Sequence, residues 1–151
     1  MDRPGVSADR VDLVRRRLFW VLVLGLGGTE TELLLLEHYE DPWQFVPLLL
    51  IASAVAVLAW HRQRRDAGSL GALRILMVLF LLAGLVGLAL HFGGAAEFQL
   101  EIDPAMGRWD LVKKAMRAKA PPVLAPGVML LFGLIGLAYA ALDSPKSTGV
   151  K

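Results

Sequence analysis

Residues 71–92 read GALRILMVLFLLAGLVGLALHF, and apart from His91 their one ionisable side chain is Arg74. An α-helix crosses the hydrocarbon core of a bilayer, about 30 Å thick, with about 20 predominantly apolar residues. This stretch is long enough, so it predicts a transmembrane helix. Three other apolar stretches resemble it, and together they predict an all-α polytopic membrane protein, a bundle of four transmembrane helices with spans at about 18–37, 43–60, 71–92 and 123–142.

The overall composition also favours a membrane protein. Of the 151 residues 56% are hydrophobic, and the mean hydropathy is +0.54, whereas soluble domains are about 45–50% apolar. A net charge of only +2 argues against a nucleic-acid partner. The chain has no cysteine, which excludes disulfides and thiolate metal sites. The apolar run after polar residues 1–17 is longer than the core of a cleaved signal peptide, so we expect a retained span.

The distribution of Lys and Arg predicts the topology. Eleven of the sixteen lie in residues 1–17, 61–74 and 143–151, and the loop 93–122 holds the other five. Cytoplasmic segments of membrane proteins carry the excess of Lys and Arg. We therefore expect an N-terminal segment (1–17) and a tail (143–151) in the cytoplasm, flanking one membrane domain (18–142). The loop 93–122, between the third and fourth spans, is expected to be ordered and to lie on the other side of the membrane. The size and the Leu/Ala/Gly/Arg-rich composition suggest a bacterial inner membrane.

Local signals predict where elements begin. Asp41-Pro42 is a cap-plus-proline start for span two, and Ser69 is a candidate cap for span three. In the loop, 97–103 alternates polar and apolar residues, which is a strand-like period. We expect its apolar side chains to be protected and its acids to face water. Small residues four apart, at Ala83/Gly87 and Gly136/Ala140, favour close helix packing.

A short helix is expected over 104–120, starting at Asp103-Pro104. One side of it carries the apolar residues Trp109, Val112 and Met116, and its cations lie elsewhere. Two placements are open. The helix lies flat in the membrane interface with its cations near anionic headgroups, or it packs as a solvated cap on the end of the bundle.

Two acids are expected at membrane depth. Span one reaches the required length after Arg17 only if it includes Glu30 and Glu32. At about 100° per residue they point about 200° apart, so both cannot face one narrow pathway on a regular helix. Glu30 is expected to face the bundle or a wet cavity. It is then either a proton-carrying or polar-ligand site, or a hydrogen-bonded group that holds helices together.

The far end of the bundle is rich in groups that bind metals. They are Glu37, His38, His91, Glu97, Glu101 and Asp103. Imidazole and carboxylate suit Zn, Cu, Fe or Ni, so a metal site at His38 and His91 is one interpretation, although no two of these residues form a known ligand motif. The alternative is that acids and histidines only mark the membrane boundary. His61, beside Trp60, is expected to be interfacial.

No phosphate loop or nucleophile elbow is present, so we do not favour an enzyme and predict no cofactor. The favoured function is an accessory or assembly subunit of a larger membrane complex. One alternative is a small oligomeric transporter or proton-coupled protein that uses Glu30 and Glu32. The other is metal or cofactor binding through His38, His91 and nearby carboxylates. The expected partners are the lipid bilayer and other membrane subunits or further copies of the chain.

Overall fold

The computed structural model describes residues 4–117 and 124–143, which confirm the all-helical prediction. A 3-10 turn, Pro42–Gln44, precedes the second helix. Within the described residues there is no strand. Four of the helices (all but α4) are long and apolar enough to span a membrane. The helices are α1 (Pro4–Leu35), α2 (Phe45–Arg64), α3 (Ala67–Ile102), α4 (Arg108–Met116) and α5 (Leu124–Ala141).

The four long helices form an antiparallel bundle. Helix α1 packs against α2 and α5, and α3 packs against the same two neighbours, with α3 and α5 in the most extensive contact. Asp143, which follows α5, contacts Arg15 in the first half of α1, His61 near the end of α2 and Arg65 just after it. His61 in turn contacts Ser69 at the start of α3. The chain therefore runs up, down, up and down, as in simple four-helix bundles. We call this end of the bundle the Asp143 end and the opposite one the α4 end.

The bundle has an apolar interior and an apolar exterior. Each long helix contributes side chains to one continuous core, including Leu22, Leu26, Ile51, Leu58, Leu73, Met77, Phe80 and Phe132. Large apolar side chains also cover the outside, among them Leu24, Leu49, Ile75, Leu82 and Leu134. An exposed apolar surface of this extent is suited to lipid rather than water, which agrees with membrane-spanning helices.

Glycines let α3 and α5 approach closely. A Cβ atom added at Gly133 would lie 2.6 Å from a Leu81 methyl carbon and 2.9 Å from the Met77 carbonyl oxygen. One added at Gly84 would lie 2.9 Å from the Pro126 carbonyl oxygen. The predicted small-residue positions Gly87 and Gly136 also face the partner helix. The two tightest backbone approaches, at Gly84 and Gly133, were not predicted from the sequence.

The strand-like interpretation of 97–103 is wrong. Helix α3 continues without a break to Ile102, so its 36 residues span about 54 Å at 1.5 Å per residue. Phe98 and Ile102, which we expected to be protected, are 59% and 65% exposed. A lone strand would leave its backbone groups unpaired, because no other described part of the loop is a strand that could form a sheet with it. The helix satisfies those groups internally.

Two predicted caps are also wrong, and one is confirmed. Asp41 caps the turn before α2, and it forms a capping box with Gln44. Helix α3 starts earlier than expected, since the N-cap is Asp66, whose carboxylate accepts the Ser69 backbone N–H at 2.7 Å. Asp103 ends α3 instead of starting the next helix, and α4 begins after Gly107. The end of the loop (118–123) and the tail from 144 onward lie outside the described residues.

Candidate functional site

A buried carboxylate joins three helices at the Asp143 end. The side chain of Asp143, which follows α5, is 2% exposed. One of its oxygens accepts hydrogen bonds from Arg15 of α1 at 3.0 Å and from Arg65 of the α2–α3 connection at 2.9 Å. Its other oxygen lies 2.9 Å from Nε2 of His61 in α2. We call these four residues, together with Ser69 of α3, the Asp143 cluster.

Local backbone geometry places the cluster. Arg65 ends α2 in the left-handed conformation, with φ 51°, and its N–H donates to the His61 carbonyl oxygen. Asp66 then caps α3 immediately. A non-glycine residue in this conformation costs about 1 kcal/mol, but the two-residue connection brings the end of α2 directly beside the start of α3. The Arg65 side chain is thereby aimed at Asp143.

Further contacts at this end join the same helices. The guanidinium of Arg62 lies 4.8 Å from the ring centroid of Phe19, which is a cation–π contact between α2 and α1. The Tyr139 ring of α5 packs edge-on against His61. Arg74 of α3 donates to the Ala140 carbonyl oxygen at 3.4 Å. The Asp143 end is therefore held by polar and aromatic contacts between helices as well as by the apolar core.

The cluster keeps Asp143 ionised. Burial acts to raise the pKa of Asp143, but the hydrogen bonds from His61 and Arg65 and the charges of Arg65 and Arg15 outweigh it, so its pKa lies below the ordinary value. The pKa of Asp66 is also lowered, mainly by the hydrogen bond from the Ser69 backbone N–H. The cluster is thus a carboxylate compensated by two guanidinium groups.

Ser69, His61 and Asp143 are connected in the order of a hydrolytic triad, with His61 Nδ1 lying 2.9 Å from Ser69 Oγ. Two observations argue against a nucleophile. Ser69 is fully buried, and its hydroxyl donates to the Asp66 carbonyl oxygen at 3.0 Å. A serine hydroxyl has one hydrogen, and here that hydrogen is directed at Asp66 rather than at His61. The arrangement suits a hydrogen-bonded link between helices, not a base that activates a hydroxyl.

The two acids that we expected at membrane depth point in different directions, as the helical spacing predicts. Glu30 lies on the inward side of α1 between Leu26 and Leu33, both of which are buried. One of its carboxyl oxygens is buried and has no hydrogen-bond partner among the described residues. Glu32 is exposed on the outside of the bundle. A functional role for either acid stays a prediction.

The two histidines at the α4 end interact only electrostatically in the described part of the chain. The pKa of His38 is lowered by burial and, to a smaller extent, by the charge of His91. The predicted acids of this end, Glu37, Glu97, Glu101 and Asp103, are exposed. In the described part of the chain, no group of three or more His, Asp or Glu side chains is placed to hold a metal ion. A metal site at His38 and His91 therefore stays a prediction.

The Asp143 cluster was not predicted from the sequence. Arg15 and Asp143 fell in the segments that flank the membrane domain, and His61 was expected to be interfacial, although it is 1% exposed. One signal was available, since a lone acid directly follows span four at the basic end of the chain. Comparison with known proteins adds no family, because no family model, curated protein or solved structure matches the chain.

Proposed function

We propose that this chain is a non-catalytic accessory or assembly subunit of a larger membrane complex, and that it binds its partner through the outside of α1. The proposal is supported by a row of residues that we call the α1 outer stripe: Leu24, Gly28, Glu32 and Leu35. They are spaced by four, four and three positions, so they share one helix face. All four are exposed.

Glu32 is the observation on which the proposal rests. It lies 17 residues above Arg15, or about 25 Å at 1.5 Å per residue, and the apolar chain continues beyond it to Leu36. An acid facing lipid inside the hydrocarbon region is costly, and such residues normally face protein or water. Within this chain Glu32 points away from the bundle. A polar group on a neighbouring subunit would satisfy it.

Gly28 provides a steric reason to place the partner on the same face of α1. A Cβ atom added there meets nothing within 4 Å, so the glycine is not needed for packing within the chain. Small residues in membrane helices allow a second helix to come close, where van der Waals contact and hydrogen bonds stabilise the pair. Gly28 and Glu32 are one helical turn apart. Together they offer a partner helix a close approach and an acceptor.

Native mass measurement after extraction in a mild detergent tests the proposal. We expect a stable complex with a different protein, and we expect Gly28→Leu to dissociate it. Gly71→Leu is the matched control, because a Cβ atom at Gly71 also meets nothing within 4 Å but lies on α3, away from the stripe. A monomer, or equal loss of the complex in both variants, would contradict the proposal.

A second candidate is a small oligomeric transporter or proton-coupled protein. It is favoured by the inward carboxyl oxygen of Glu30 that has no partner among the described residues. A buried polar atom of this kind costs free energy unless water, an ion or another group reaches it. This function requires a homo-oligomer in the mass measurement. It also requires that Glu30→Gln retain assembly and lose transport, whereas a structural Glu30 would lose assembly on substitution with Leu.

We further infer that the chain resides in a bacterial inner membrane with the Asp143 end in the cytoplasm. The support is the excess of Lys and Arg in 1–17, 61–74 and 143–151 over the loop 93–122. Both termini are then cytoplasmic, and α4 lies on the opposite side.

A further inference from the structure

Helix α4 packs against the second half of α3, and a groove forms between them. One compartment of the groove, about 370 Å³, is apolar and is lined by Leu85, Leu88, Ala89, Phe92 and Met116. A second compartment, about 420 Å³, is polar and is lined by Gln99, Asp110, Lys113, Lys114 and Arg117. We call the two together the α3–α4 groove.

The two compartments are lined by the same pair of helices. Leu85, Phe92 and Gln99 are seven residues apart, which is about two turns, so they lie in one row on α3. On α4, Met116 of the apolar compartment directly precedes Arg117 of the polar one. An elongated molecule with an apolar and a polar part can therefore lie along α3 and contact both.

The depth of each compartment matches a layer of the membrane. The uncharged part of α3 begins at Ile75, just after Arg74. About 20 helical residues cross the hydrocarbon core, so the core would extend from Ile75 to about Gly94. The apolar compartment, from Leu85 to Phe92, is then at acyl-chain depth. Gln99 is five residues beyond Gly94, or about 7.5 Å at 1.5 Å per residue, which is headgroup depth.

The charge of the polar compartment favours an anion. Three cations face one acid there. Lys113 is oriented by that acid, Asp110, at 3.5 Å and by the ring of Trp109. Lys114 and Arg117 are exposed beside it. Cations at the membrane surface attract anionic headgroups, and each contributes about 1 kcal/mol.

We propose that the α3–α4 groove binds one anionic phospholipid, with its phosphate against Lys113, Lys114 and Arg117 and an acyl chain along Leu85, Phe92 and Met116. The arrangement favours a lipid over a free anion. A lipid has a headgroup for the basic compartment and an acyl chain for the apolar one, whereas a free anion has nothing to fill the apolar compartment. Lipid binding would also explain why α4 is present, since the four long helices form the bundle without it. A helix packed on α3, with cations at headgroup depth, closes the site from one side.

The test is lipid titration of the full-length purified protein, followed by native mass spectrometry. Phosphatidylglycerol is expected to remain bound as one molecule per chain, and phosphatidylcholine to dissociate. The double variant Lys114→Gln, Arg117→Gln is expected to weaken phosphatidylglycerol binding roughly 30-fold, since each cation near an anionic surface contributes about fivefold. Arg108→Gln is the matched control, because Arg108 is exposed on the same helix and lines neither compartment.

The apolar compartment is tested separately. Ala89→Trp is expected to fill it and to lower phosphatidylglycerol retention, while circular dichroism confirms that the helices are intact. Glycerol 1-phosphate, which has the headgroup phosphate and no chain, is expected not to compete at equal concentration. Equal retention of the two phospholipids, an equal effect of Arg108→Gln, or full competition by glycerol 1-phosphate would each overturn the lipid site.

Discussion

Removal of the Asp143 carboxylate is expected to cost a large part of the stability of the bundle. Asp143→Ala leaves His61 without its buried partner, and a hydrogen bond to a charged group contributes about 1.5–3 kcal/mol. Arg15 and Arg65 are 21% and 31% exposed, so water replaces part of what they lose, and we assign each about 0.5–1 kcal/mol. The expected loss in free energy of unfolding is about 2.5–5 kcal/mol, which overlaps the range of about 3–5 kcal/mol for breaking a buried ion pair.

Reversible unfolding in mixed detergent micelles, followed by circular dichroism, measures this loss. Asp12→Ala is the matched control, because the Asp12 carboxylate also lies 3.0 Å from Arg15 but is 68% exposed. Its loss is expected to stay below about 1 kcal/mol. If Asp143→Ala unfolds at the same detergent composition as Asp12→Ala, the cluster does not hold the helices together and the reasoning is refuted.

The contribution of Asp143 to the free energy of unfolding is expected to depend on pH in a defined direction. The pKa of Asp143 is lower in the folded protein than in the unfolded one, so its contribution is fully present above its ordinary pKa of about 3.9. The contribution is lost as pH falls through the folded pKa. The stability difference between the parent protein and Asp143→Asn is therefore expected to be constant from about pH 5 to 8 and to shrink below about pH 4. A difference that shrinks between pH 5 and 8 would point to another group.

Three further outcomes are expected. Gly133→Ala should lower the free energy of unfolding by about 1–3 kcal/mol, because the new Cβ atom collides with Leu81 and with backbone; unchanged stability would mean that α3 and α5 are further apart. A fluorophosphonate probe should leave Ser69 unlabelled, since its hydroxyl is buried and already donates a hydrogen bond; labelling would revive the triad as a nucleophile. A reporter fused after Lys151 should be cytoplasmic and one inserted at Gly107 should lie outside the cytoplasm, and finding the second in the cytoplasm would reverse every assignment of sides.

The number of helices could be predicted from the sequence because length and hydropathy leave no other spanning structure for a long apolar stretch. Lipid offers no hydrogen bonds, so the backbone must satisfy itself within a helix. The opposite directions of Glu30 and Glu32 could be predicted for a similar reason, since they depend only on the period of one helix. Both predictions rest on local geometry.

Features that depend on how helices meet could not be predicted in this way. Asp143 contacts residues 78, 82 and 128 positions away, and such contacts depend on the rotation and tilt of three helices at once. The end of α3 was missed because seven alternating residues fit a helix end as well as a strand. The start of α3 was missed because two neighbouring residues, Asp66 and Ser69, are both good caps.

Photo-cross-linking in native membranes tests the proposed subunit interface most directly. A photoreactive phenylalanine analogue replaces Leu24 on the α1 outer stripe and, as the control, Leu82 on α3; their side chains are 71% and 53% exposed. The proposal predicts one discrete adduct with a different membrane protein from position 24, its loss in Glu32→Leu, and lipid adducts alone from position 82. Lipid adducts alone from both positions, or adducts only with a second copy of this chain, would contradict it.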